Sequence, residues 1–91
     1  MDDLTEYIKK EVILQRYDEY IWLYIYECET DSMKFYKVKS NKEEYKSTFL
    51  YPHEAVFHTT NIMRELTRNG YIIMIERVFD RIFASWYEVA N

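Results

Sequence analysis

The sequence predicts an α+β protein: an antiparallel sheet of about five strands with one or two helices packed on one face, in the order α-β-β-β-α-β-β. Three observations predict it. The only proline and the only glycine, Pro52 and Gly70, bracket one segment. Proline fits the first turn of a helix, where its missing N–H would be unpaired anyway, and glycine takes the left-handed conformation that ends one. On either side lie short runs of aromatic and β-branched residues separated by polar turns, the pattern of an antiparallel meander. Apolar residues near the start recur every four positions, as on a helix face.

The elements follow in order. Asp2 to about Leu14 reads as a helix, because Leu4, Ile8 and Val12 are four apart and Asp2 and Asp3 suit a positive helix N-terminus. Asp18-Glu19 reads as a break. Tyr20–Cys28 reads as a strand whose alternation sends Ile21, Leu23 and Ile25 to one face and Tyr20, Trp22, Tyr24 and Tyr26 to the other. After the polar turn Glu29–Ser32 come a strand over Met33–Ser40, a turn at Asn41–Glu44 and a strand over Tyr45–Tyr51. The bracketed helix presents Ala55, Val56, Thr59, Ile62, Met63 and Leu66 as its apolar stripe. Tyr71–Val78 and Ile82–Val89 read as a closing hairpin about Asp80-Arg81, with Ile75 opposite Trp86 and Met74 opposite Tyr87.

The first five elements resemble the order of a double-stranded RNA-binding domain. Such domains place a lysine cluster at the start of the second helix to meet phosphates. Here that position reads Pro52-His53-Glu54-Ala55, so the family's function is not carried over.

With 91 residues the chain is expected to form one domain, 1–91, able to bury a core without disulfides. Its single cysteine fits a reducing, cytoplasmic location. The acidic opening is not that of a signal peptide, and the apolar runs are too short to span a bilayer. The net charge of -4 argues against simple nucleic-acid binding. That charge is uneven: roughly -6 over residues 1–31, roughly +3 over 32–51 and roughly -1 over the remainder. Abundant Ile, Lys and Tyr beside scarce Gly, Ala and Pro also match an AT-rich genome, and a share of the tyrosine excess is expected from that bias.

No catalytic constellation stands out. Cys28 lies between Glu27 and Glu29, which would raise rather than lower its thiol pKa. Glu54 and His58 share a helix face, but zinc needs three or four ligands. The paired carboxylates Asp2-Asp3, Asp18-Glu19 and Glu43-Glu44 read as exposed and flexible, whereas catalytic carboxylates need burial or a charged partner. With one glycine there is no phosphate-cradling loop. The expectation is therefore a non-enzyme without cofactor or metal.

The sharpest functional feature is the aromatic face Tyr20, Trp22, Tyr24 and Tyr26, since tyrosine and tryptophan dominate recognition surfaces. The chain is expected to be a small acidic protein-binding module. In size, acidity and composition it resembles small phage or mobile-element proteins that inhibit a host nucleic-acid-processing or defence complex, such as anti-CRISPR and anti-restriction proteins. On that reading Asp18, Glu19, Glu27 and Glu29 would enter a basic channel, with Trp22 and its neighbours as apolar anchors. One alternative is a single-stranded nucleic-acid binder using the lysine and aromatic hairpin 33–51, through Lys34, Tyr36, Lys37, Lys39 and Lys46. Another is a small homodimer that buries the aromatic face against itself.

Overall fold

A computed structural model describes residues 3–80 and 83. They contain β1 (Thr5–Arg16), β2 (Glu19–Glu29), β3 (Lys34–Ser40), β4 (Ser47–Phe49), α1 (Pro52–Arg68) and β5 (Ile72–Val78), with a 3-10 turn over Glu43–Tyr45 ahead of β4. The five strands form one sheet in the order β4-β3-β2-β1-β5, every neighbouring pair antiparallel. The class is α+β, as the sequence predicts.

The opening element differs from expectation: it is strand β1, not a helix. Residues four apart share a face in a strand as well as in a helix, so the recurrence of Leu4, Ile8 and Val12 did not separate the two. The run Val12-Ile13-Leu14 decides it, with Lys10, Val12 and Leu14 buried on one face and Glu11, Ile13 and Gln15 turned to the other. A bulge between Ile8 and Lys10 then reverses the facing of everything before it. β1 pairs with β2 through the two-residue turn Tyr17-Asp18, Arg16 lying opposite Glu19.

Other boundaries move less. The strand expected over Tyr45–Tyr51 contracts to Ser47–Phe49, because Tyr45 closes the 3-10 turn and Tyr51 is already the N-cap of α1. Of the strand expected over Ile82–Val89, Phe83 is helical and buried against Tyr36. The rest of that hairpin, with its pairings to Trp86 and Tyr87, lies outside the described residues.

The punctuation of α1 is as the sequence reads. Pro52 opens the helix, and Glu54 accepts a hydrogen bond from the Tyr51 N–H at 3.3 Å. At the other end Gly70 has φ 92°, the Gly70 N–H bonds Thr67 at 3.2 Å, and the Tyr71 N–H bonds Leu66 at 3.0 Å. These two bonds form a Schellman motif.

Among the described residues α1 packs on one face of the sheet. Ile62, Met63, Leu66 and Tyr71 meet Val12, Leu14, Ile21 and Leu23, while Ala55, Val56 and Phe83 meet Ile25, Tyr36 and Val38. At the far end of this covered face Lys9 ties β1 to β2 and to the segment that follows β5, its ammonium 3.4 Å from Glu27 and 3.1 Å from Asp80. Burial alone would lower the Lys9 pKa, but the hydrogen bond to Asp80 and the charge of Glu27 outweigh it and hold it above the usual value.

Candidate docking face

The opposite face of the sheet carries the aromatic residues of β2. Trp22 and Tyr24 stack with ring centroids 4.8 Å apart, and Tyr26 meets Tyr24 edge-on at 6.3 Å. Cross-strand register places Ile13 beside Trp22, Glu11 beside Tyr24 and Ile8 beside Tyr26 on β1, and Ile75 and Arg77 further out on β5. On the other side β3 sets Lys39 beside Tyr24, Lys37 beside Tyr26 and Phe35 beside Cys28. Trp22, Tyr24 and Tyr26 are partly buried by one another, and Tyr20 at the end of the row is exposed. No described element packs over them.

Two ion pairs flank this aromatic centre. Lys39 lies 2.5 Å from Glu6 and 4.5 Å from the centre of the Tyr26 ring. The hydrogen bond to Glu6 raises its pKa, with burial opposing. Arg77 lies 3.8 Å from Glu11. Burial raises the Tyr24 phenol pKa, and Glu11 raises it further by charge and hydrogen bond. Cys28 is buried at the edge of the face; burial and then Glu6 push its thiol up against Lys37 and Lys39, so it is held as an unreactive thiol.

The structure brings together some of the residues that the sequence singles out and separates others. Tyr20, Trp22, Tyr24, Tyr26, Lys37 and Lys39 share the open face. Tyr36 is on the covered face, 7% exposed, with its hydroxyl donating to Glu27 at 3.2 Å. Burial and then the Glu27 charge push its pKa up to about 12. Lys34 reaches to 3.5 Å from the same Glu27, and Lys46 pairs with Glu43 at 2.8 Å. The acids scatter as well. Asp18 is in the β1–β2 turn, Glu29 is exposed at the end of β2, Glu27 belongs to the Lys9 cluster, and Glu19 accepts a hydrogen bond from the Tyr71 hydroxyl.

Ile8, Glu11, Ile13, Ile75 and Arg77 are part of the face that sequence reasoning missed. Their signal was present in Val12-Ile13-Leu14, a run of apolar residues suited to a strand buried on both sides, which the helix assignment of β1 concealed. Among the described residues no group of three or more His, Cys, Asp or Glu could hold a metal ion, and no helix is long and apolar enough to cross a membrane. Comparison with protein-family models, curated proteins and solved structures finds no match to the chain.

Proposed function

We propose that this chain is a non-enzymatic protein-binding module that docks through the open face of its sheet. The observation that carries the reading is the face itself, with Trp22, Tyr24 and Tyr26 at the centre, Ile8, Ile13 and Ile75 beside them, and the pairs Lys39–Glu6 and Arg77–Glu11 around them. An apolar, aromatic centre with a charged rim is the anatomy of a protein interface, and tryptophan, tyrosine and arginine are its usual anchors. If the partner is a host enzyme or defence complex, inhibition would act through this face rather than through a block of acids, because Glu19 is engaged by Tyr71 and Glu27 by Lys9 at opposite ends of the covered side, and Asp18 lies in the β1–β2 turn.

The test is site-specific photocrosslinking in lysate of the cell that encodes the chain. With p-benzoylphenylalanine in place of Tyr24 a discrete protein adduct is expected. The same probe in place of Asn61, on the exposed side of α1, should give none. Equal labelling from both positions, or none from position 24, would overturn the reading.

A second reading is supported by the placement of Lys37 and Lys39 opposite Tyr26 and Tyr24, which resembles a stacking platform for single strands. Two features favour protein over nucleic acid: Trp22 and Tyr24 use their ring faces on each other, and Lys39 is neutralised by Glu6. Salt-sensitive binding of an oligothymidylate, lost in a Lys37→Ala/Lys39→Ala variant, would reverse that order.

A further inference from the structure

Where β1 turns into β2 and α1 hands over to β5, the surface holds a groove of about 440 Å³. One wall is Arg16 and Tyr17; the other is Gly70, Ile72 and Met74. The groove is apolar and open: Tyr17 is 89% exposed, Ile72 67% and Met74 55%. Tyr17 is held at φ 57°, a conformation that side chains other than glycine, asparagine and aspartate seldom adopt, so the turn sustains strain to keep a large ring at this tip.

Among the described residues Arg16 supplies the only charge in the lining, and it is already positioned. One guanidinium nitrogen donates to the Asn69 carbonyl at 2.8 Å, and the group lies 4.5 Å over the Tyr71 ring. Its cross-strand neighbour Glu19 is engaged by the Tyr71 hydroxyl instead. Among the described residues no carboxylate lines the groove, and one of the five guanidinium N–H donors is used, on Asn69. The groove opens onto β5, which ends the sheet; among the described residues no strand pairs with its outer side. A bulge between Ile13 and Leu14 leaves Met74 as the extra residue of β5, beside the groove. Ile72 lies opposite Gln15 in register and Gln15 opposite Tyr20, so groove and open face are continuous.

Resting on the protein-docking reading above, we propose that the groove is the anchor pocket of that docking surface, and that it takes an extended peptide segment of the partner bearing an apolar residue next to a carboxylate. The apolar side chain would sit between Tyr17 and the pair Ile72 and Met74. The carboxylate would meet the uncompensated fork of Arg16. The partner's backbone would run along the outer edge of β5, as in β-strand addition.

The experiment titrates the full chain with two blocked β-forming peptides, identical except for a central Leu-Glu or Leu-Gln, following amide shifts by NMR. The Leu-Glu peptide should bind at least about ten-fold tighter, roughly the contribution of one charge-assisted hydrogen bond. Shifts should centre on residues 15–18 and 69–78. Arg16→Gln should remove the preference, and Arg16→Lys, a milder change should the first variant not fold, should reduce it. Equal binding of the two peptides, or shifts confined to Trp22 and Tyr24, would overturn the assignment. So would sodium acetate binding as tightly as the Leu-Glu peptide, which would make this a site for free carboxylic acids. A crosslink at position 24 alongside equal peptide binding would break the groove assignment and leave the docking face standing. Loss of the crosslink with the peptide preference intact would do the opposite.

Discussion

The two faces of β2 differ in what covers them more than in how apolar they are. Ile21, Leu23 and Ile25 are sealed under α1, whereas Trp22, Tyr24 and Tyr26, one residue along on the same backbone, have no described element over them. Branched aliphatic side chains interdigitate with a helix stripe and have no polar atom to satisfy. Tyrosines can leave a hydroxyl in water or give it to Glu11, so their face tolerates solvent and remains available for a partner. A strand apolar on both sides therefore need not be buried on both sides.

That contrast can be broken most directly by truncation. Leu23→Ala, at a position 1% exposed, should cost about 3 kcal/mol in urea unfolding, whereas Tyr24→Ala should cost about 1 kcal/mol or less. Similar losses at both sites would mean that the aromatic face is packed as tightly as the other.

The phenols sharpen it next. The folded-state pKa of Tyr36 is raised to about 12, so its contribution is fully present below pH 10 and is lost as pH rises towards that value. Between about pH 9 and pH 11 the native state should lose roughly 1.4 kcal/mol from this group alone. Tyr36→Phe should remove that part of the pH dependence, measured as the narrowing of the difference between the two unfolding midpoints. An unchanged difference would count against the buried Tyr36–Glu27 bond.

Tyr17 and Gly70, the positive-φ residues among those described, give smaller effects of opposite sign. Gly70→Ala should destabilise by about 1 kcal/mol. A Cβ there would meet Arg16 Cδ at an ordinary 3.5 Å, so the cost is backbone conformation, at φ 92°, rather than a clash. Tyr17→Gly should stabilise by about 0.5 kcal/mol, the relief of strain exceeding the added chain entropy. A Tyr17→Gly variant less stable than the parent would show that the tyrosine ring holds the turn together, and would weaken the case that it is kept for binding.

Much of this was legible in the residues. The α1 boundaries follow from Pro52 and Gly70, and its buried stripe from spacing alone. The division of β2 into two faces follows from alternation. The opening strand was not legible, because Leu4, Ile8 and Val12 satisfy both periods and the bulge after Ile8 disguises the strand pattern. With β1 misread, Ile8, Glu11 and Ile13 could not be added to the candidate face. The groove beside Arg16 was not legible either, since it joins residues more than fifty positions apart that only the pairing of β1 with β5 brings together.

The sequence by itself determined where the helix begins and ends and which side chains of β2 share a face, because caps and alternation are properties of neighbouring residues. Tertiary structure alone decided that β1 is a strand, that Lys37 and Lys39 join the aromatic residues while Tyr36 does not, and that one face is covered. Those outcomes depend on register and on which surface the single apolar stripe of α1 seals, and both are settled between segments far apart in the chain.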